Sequence, residues 1–483
     1  MQPSWPIDKW AELSYQESFA LQNPTLSLLS SAITPFRIRI TKTNVSEDEE
    51  MKKNSGYKEV LRNYQYMKLL VAGIINRFGD SIDAIASAWL VYELTSNAMW
   101  SAIIYGVNKI PTVFIQPLSG AWVEGKKKKP IMVVTDLIRA ICVAVIATGF
   151  LFGFLNAWIL VITTFVISTA EAFRLPAGSA VIPKLLKKEE IAYGTSLSTA
   201  ISTVVELIGM GAAAGIIALI GTAGAIYIDM ATFLFSALII GTIKISSDEA
   251  KDINGNFKAY LDTLKQGFSY IAHSKVAMFL VLFAAFLNGI LVPLNSLMAP
   301  LANEVIGTGA ETISVISIAI TLGTLLGTVV YPALSKFIGK EVFVISGGIC
   351  IGIYYLAVIL GRPLYNNIVI TYSYVAFISF TMGVFVSLLS AFLQVVFIEL
   401  IDEQYFARAA SIINAMGNAA MPVMSVVVSL LAAWLPTSVI FIVIGAIDVV
   451  VCLYLVLSHT LSDILGGKKE VRKEESSYAA QFE

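Results

Sequence analysis

Charge is scarce in this chain. Only 14% of its 483 residues are Asp, Glu, Lys or Arg, against about a quarter in an ordinary soluble protein. That excludes a soluble globular fold and a disordered one. The formal net charge is −1 and the basic residues sit in short loops, so nucleic-acid binding is excluded as the main task. Cysteine is rare: Cys142, Cys350 and Cys452 all lie inside apolar runs and read as small hydrophobes, so a disulfide scaffold is excluded. The two histidines, His273 and His459, fall outside the apolar runs, which excludes a histidine-based zinc site or catalytic triad in a membrane. Nothing else resembles a catalytic constellation. No enzyme activity, metal or cofactor is expected.

What remains is apolar. Hydrophobic residues make up 57%, and mean hydropathy is +0.76. A bilayer core about 30 Å thick is crossed by about 20 apolar residues at about 1.5 Å each. Twelve such runs occur, spans 1 to 12: 67–94, 99–123, 131–153, 157–181, 193–219, 221–243, 275–301, 311–335, 341–361, 367–395, 405–433 and 436–458. Alternating strand-like segments are absent, so the spans are helices and the fold class is all-α membrane protein.

The 33 Lys and Arg residues orient the chain. Twenty-eight fall on one side of the expected membrane. They lie before span 1, after spans 2, 4, 6 and 8, at the mouth of span 11 (Arg408) and in the tail. The opposite loops hold one, Arg362. Both termini are therefore expected in the cytoplasm of a multi-pass protein of the cell membrane. The single long internal connection, 244–274, is polar and divides six spans from six. This predicts an extension 1–66, a bundle 67–243, a linker 244–274, a second bundle 275–458 and a tail 459–483. Residues 1–50 lack a signal peptide's pattern. They read as disordered, with either an upstream start codon or a regulatory extension as their origin.

The two halves echo one another. Gly120–Pro130 maps onto Tyr331–Glu341, and Pro183–Leu197 onto Ile398–Ile412, pairing Leu185 with Leu400, Ala192 with Ala407 and Ser196 with Ser411. Duplicated bundles around a midplane site are the architecture of secondary transporters.

Several segments carry a family resemblance. Gly120-Ala-Trp-Val-Glu124-Gly-Lys-Lys-Lys128-Lys129 resembles the signature loop of the major facilitator superfamily, with Glu124 where Asp is usual and Gly125 where Arg is usual. Asn76-Arg-Phe-Gly-Asp80, Trp89–Thr95, Asp136-Leu-Ile-Arg139-Ala and Pro176–Pro183 are similar to the macrolide-efflux branch of drug:proton antiporters. Gly209-Met-Gly-Ala-Ala-Ala-Gly215 resembles a degenerate antiporter motif without its proline; close helix packing through small residues explains it equally. The resemblance covers about 57–460. It implies two pseudo-symmetric six-helix bundles rocking about a central cavity. It also implies efflux of drugs driven by proton entry, a role in antibiotic resistance. The expected partners are the lipid bilayer, a small-molecule substrate and protons, and the chain is expected to be a monomer. The segment Gly120-x4-Gly125-Lys-Lys also brushes the phosphate-binding loop, but it lacks the final Ser/Thr and a preceding strand.

A charge at the bilayer centre costs about 2.5–3.5 kcal/mol on insertion scales, so each one needs a reason. Most lie in the first bundle. Arg77/Asp80, Asp136/Arg139 and Glu171/Arg174 are each three residues apart, so each acid shares a helix face with a base. For the last two pairs mutual neutralisation is the favoured reading. They are also expected to latch onto Gly120, Glu124, Lys128 and Lys129 and act as conformational switch elements. Asp80, Glu206, Asp83 and Asp229 are the proton-coupling candidates, with Asp80 and Glu206 foremost at the midpoints of spans 1 and 5. A carboxylate out of water without a full partner can take up a proton near neutral pH. Arg77 or Lys109 would assist its release, and Lys109 can alternatively pair with one of the four acids. Asp448, alone in span 12, reads as packed against a cavity water. Asn288 and Asn295 are candidates to line the substrate cavity. Two rival readings stay open: an exporter of a siderophore, a peptide or a lipid-like metabolite on the same scaffold, and a receptor or scaffold that has lost transport.

Overall fold

The computed structural model describes residues 56–124, 126–245, 275–400 and 406–457. The extension before 56, most of the linker and the tail lie outside the described residues. Among the described residues there are helices, turns and no strands. Nine helices among the described residues are long and apolar enough to cross a membrane, with the 54-residue run Lys188–Gly241 counted once. That run is two helices. At Gly221 the backbone turns to φ 75°, ψ 170°, a conformation open to glycine because no Cβ clashes there. Span 5 is thus 188–220 and span 6 is 222–241. Span 1, Tyr64–Thr95, is long enough, but Arg77, Asp80 and Asp83 dilute its apolar character. Span 2 is Ala98–Phe114 continued by Gln116–Glu124, broken where prolines 111 and 117 remove helix donors. Spans 3 and 4 are Lys128–Leu151 and Ala157–Leu185.

Span 7 is Lys275–Ser296, extended past a break by Met298–Pro300 and a π-helical turn Leu301–Ile306. Spans 8 to 12 are Ala310–Leu334, Lys340–Leu360, Ile368–Leu400, Phe406–Ala432 and Thr437–Leu457. Helix starts follow local chemistry. Asn63, Asn97 and Asn156 each accept a bond from a first-turn amide, at 3.1, 2.9 and 3.0 Å. Such a cap contributes about 1 kcal/mol.

The same packing occurs twice. Spans 2 and 4 run side by side in one direction: Trp100 meets Trp158, and Asn108 meets Ser168, 60 residues on. Spans 8 and 10 repeat this, with Thr328 against Ser387, 59 residues on. Span 1 runs along span 5, with Tyr66 on the Gly194 carbonyl and Arg77 on Glu206; span 7 runs along span 11, with Asn288 against Gly417. Spans 3 and 6 are antiparallel through Asp136–Ser236 and Thr148–Tyr227, as spans 9 and 12 are through Gly348–Cys452 and Gly352–Asp448. The register of one six-helix bundle is thus the register of the other, the structural form of the repeat seen in the sequence.

The bundles meet in the half of the molecule away from the Lys126–Lys129 face. Ser425 donates to the Ala102 carbonyl across spans 11 and 2. Tyr92 donates to Glu304 at 3.1 Å across spans 1 and 7. Gly211 of span 5 faces Ile318 of span 8. Ala299, Ala302, Ala310 and Ile313 of the second half join the core of the first around Ile85, Leu90 and Val91.

Candidate functional site: a charge network in the first bundle

Asp136, fully buried, accepts a bond from Arg174 Nε at 2.9 Å and another from the Ser236 hydroxyl at 2.7 Å. Spans 3, 4 and 6 converge on this one carboxylate. One turn further along span 3, Arg139 donates to Asp80 Oδ1 of span 1 at 2.8 Å. Its guanidinium lies 4.0 Å from the Phe233 ring centroid, a cation–π contact strengthened where water is excluded. Arg139 also lies in the field of Asp229, Glu171 and Asp136. Asp229, 1% exposed, takes only a hydroxyl from its own helix, Thr232 at 3.2 Å. Asp83 likewise accepts from Ser87 at 2.8 Å. Asp80, Asp83 and Asp229 are electrostatic neighbours of one another and of Arg139. One guanidinium is thus bonded to Asp80 and shared electrostatically with Asp83 and Asp229, neither of which has a base of its own.

Gly79 makes this closeness possible. A Cβ there would stand 2.1 Å from Thr232 Oγ1 and 2.5 Å from Asp229 Oδ1. Gly209 does the same for span 5, where a Cβ would stand 2.7 Å from Ser81 Cβ. The span 5 glycines therefore serve close packing at Gly209 and face the other bundle at Gly211.

The structure corrects the expected pairing. The i, i+3 spacing assigned Arg77 to Asp80, Arg139 to Asp136 and Arg174 to Glu171. Instead Arg77 pairs with Glu206 of span 5, Arg139 with Asp80 and Arg174 with Asp136. Each ion pair joins two spans. Side chains three apart on one helix are within reach of each other, but a side chain from a packed neighbour can be aimed head-on, and here the neighbour takes the partner. Glu206 has no base on its own helix within four residues; its partner comes from span 1. Lys109 does not join the four coupling candidates either. Its ammonium lies 5.3 Å from the Tyr105 ring centroid, and its acidic neighbour is Glu171. Asp448 is buried with one unpartnered oxygen and Cys452 beside the other.

The expected latch divides into parts. Gly120 lies in the helix Gln116–Glu124, which packs on span 4 through Ser119 on the Ala172 carbonyl and Trp122 against Phe173. Lys129 donates to the Ile243 carbonyl at the end of span 6, at 2.9 Å, and Lys128 is buried. The side chains of Glu124 and Arg408 lie outside the described residues. Asp136, Arg139 and Arg174 bind each other's helices within the bundle, about two to three turns in from Lys129. Asn288 and Asn295 lie in the other bundle, and each amide donates to a carbonyl of its own helix at 2.9 Å.

Two links escaped the reading of the sequence, because neither stands in a recognisable spacing. Tyr92 bridges to Asn303 and Glu304, and Glu304 also accepts from Thr437. Glu93 accepts from Thr222 at 2.9 Å.

Residues 57–470 match the model of a family described as transmembrane secretion effector. The chain belongs to this family of major facilitator transporters. Macrolide efflux protein A of Streptococcus pyogenes is 22% identical over 359 residues, 71% of this chain and 85% of that one. The MFS-type transporter YkuC of Bacillus subtilis is 24% identical over 291 residues, 58% of this chain, and the match spans 66% of its own length. In fold, the transporter resembles a mutant of the nucleoside transporter NupG with TM-score 0.69 at 13% identity, covering 81% of this chain and 99% of that one. The macrolide-efflux branch suggested by the sequence motifs agrees with the named relatives, and the major facilitator fold with the solved structure.

Proposed function

We propose that this transporter exports amphipathic, largely apolar compounds in exchange for protons, by alternating access between its two bundles. The observation that carries the reading is the excess of carboxylate around Arg139. With Asp80, Asp83 and Asp229 all ionised, one guanidinium would face three negative charges inside the bundle. An uncompensated charge taken out of water costs several kcal/mol. A proton is the counter-charge that can arrive from one side of the membrane and leave to the other. Asp80 and Glu206 already hold guanidinium partners, so Asp229 and Asp83 are the foremost proton carriers, with Arg139 as the shared counter-charge.

Arg77 and Glu206 support a central wet cleft. Their side chains are 43% and 21% exposed at mid-depth of spans 1 and 5. An exposed ion pair at that depth is tolerated where it faces water rather than lipid. The bundle contacts away from the Lys126–Lys129 face close the cleft on that side. With the basic face in the cytoplasm, as the Lys and Arg asymmetry indicates, this is an inward-facing state with both termini inside the cell. The efflux reading draws on relatives named for macrolide and multidrug efflux.

The test is efflux of ethidium and of erythromycin from cells expressing the protein, with and without a protonophore. Export that the protonophore stops, and that Asp229→Asn abolishes, supports the reading. Export indifferent to the protonophore overturns proton coupling.

A further inference from the structure

Arg77 has two acids within its reach and holds one of them. It pairs with Glu206 across the boundary between spans 1 and 5. Asp80, three residues along the same helix, pairs instead with Arg139. Cβ atoms at that spacing are about 5–6 Å apart, so a long arginine side chain can turn from one acid to the other without backbone movement. Two ion pairs, Glu206–Arg77 and Asp80–Arg139, thus stand in series along span 1, and Asp229 lies in the field of Arg139 beyond them: groups of alternating sign from Glu206 to Asp229. The outer members are partly exposed, Glu206 at 21%, Arg77 at 43% and Asp80 at 32%, and the inner ones are buried, Arg139 at 8% and Asp229 at 1%.

We propose that Arg77 is the positioning residue that connects the cleft to the buried carboxylates, by exchanging Glu206 for Asp80. This rests on the proton-coupled reading above. When cargo or a proton in the cleft neutralises Glu206, Arg77 turns to Asp80. Asp80 then releases Arg139, whose remaining acidic neighbours are Glu171, Asp229 and Asp136; of these Asp136 already holds Arg174, and the guanidinium turns to Asp229. The arriving guanidinium replaces the proton held on Asp229, and that proton passes to the cleft water. Where a proton is what neutralises Glu206, one is taken up for each one released and the chain keeps its charge. The charged groups facing Asp229 are Asp80 and Asp83 from span 1 and Arg139 from span 3; Glu206 is faced by Arg77 from span 1.

Exchanging the two partners separates a switch from a strut. The double variant Arg77→Glu/Glu206→Arg restores an ion pair between spans 1 and 5. It also sets an acid one turn from Asp80, so the exchange of partners can no longer occur. The full-length protein, reconstituted in liposomes, would be assayed with ethidium with and without an imposed pH gradient. The switch requires the double variant to keep downhill flux near the wild-type rate while gradient-driven accumulation falls at least about tenfold. Arg77→Lys, which keeps the charge, stays within about twofold. Arg77→Gln leaves the Asp80–Arg139 pair intact and decides the matter if the exchanged variant does not fold: it too must uncouple while keeping downhill flux. Gradient-driven accumulation at the wild-type rate in the exchanged variant or in Arg77→Gln overturns the switch and makes the pair structural. A wild-type protein whose ethidium flux ignores the pH gradient overturns the proton-coupled reading itself, and the switch with it.

Discussion

Replacing Gly79 by alanine tests whether the closeness of spans 1 and 6 is what builds the charge network. The added Cβ would stand 2.1 Å from Thr232 Oγ1, 2.5 Å from Asp229 Oδ1 and 2.9 Å from Thr232 Cβ. Asp229 Oδ1 is held by the Thr232 hydroxyl at 3.2 Å, and the two Thr232 atoms lie on a short side chain with one rotatable bond. Thr232 is β-branched, and its hydroxyl is bonded to the Asp229 carbonyl at 2.7 Å, so rotating it away breaks that bond. Asp229 sits on the same wall. The two spans must therefore part by about an ångström at this level, an overpacking cost of about 1–3 kcal/mol. Any equilibrium that needs the close-packed arrangement then weakens by about 5- to 150-fold. Gly73→Ala is the control. It lies on the same helix with nothing within 4 Å of its would-be Cβ, and alanine favours a helix interior over glycine by about 1 kcal/mol. Thermal melting of the purified protein and gradient-driven ethidium efflux would be read for both. Gly79→Ala should lower the melting temperature and suppress efflux, while Gly73→Ala leaves both unchanged or slightly improved. If the two variants behave alike, the Gly79 contact does not organise the site.

Reporter fusions after Leu94 and Phe154 should read outside and fusions at Asn254 and Gly467 inside; reversal at any one would sink the orientation of that half. The buried pair Asp136–Arg174 should show the asymmetry of desolvated ion pairs. Arg174→Ala leaves Asp136 ionised without its base and should cost about 3–5 kcal/mol, seen as lost expression or a sharply lowered melting temperature. In the double variant Asp136→Asn/Arg174→Ala, no charge is stranded and much of that loss should return. A double variant as unstable as Arg174→Ala would show that the charge is not what matters there.

The legible part of this molecule is what local chemistry dictates. Span 9 was expected at 341–361 and is the helix Lys340–Leu360. Span 3 was expected at 131–153 and is Lys128–Leu151. A bilayer demands a fixed length of apolar helix, so composition along the chain marks each crossing. Span 2 was read as continuous and is broken after Phe114, because apolar character does not report a local loss of helix bonding at prolines. Spans 5 and 6 form one unbroken apolar run of 54 residues, and their division is a single backbone turn at Gly221, the boundary that the expected spans 193–219 and 221–243 also mark. The candidate charges were found because each is costly in a membrane, whatever its neighbours.

The sequence by itself determined that the chain crosses a membrane many times, that its halves are duplicated, and that its ionisable chemistry is concentrated in the first bundle. It did so because length, hydropathy and charge are properties of segments. Only the tertiary structure decided which acid meets which base. Asp80 went to Arg139, Asp136 to Arg174 and Glu206 to Arg77, all across helix boundaries. Asp83 and Asp229 were left with hydroxyl partners beside a shared guanidinium. The physical reason is one of range. Coulombic and hydrogen-bond partners are chosen within a few ångströms, and at that distance the nearest groups belong to helices that packing at Gly79 and Gly209 brings together, however far apart they stand in the chain.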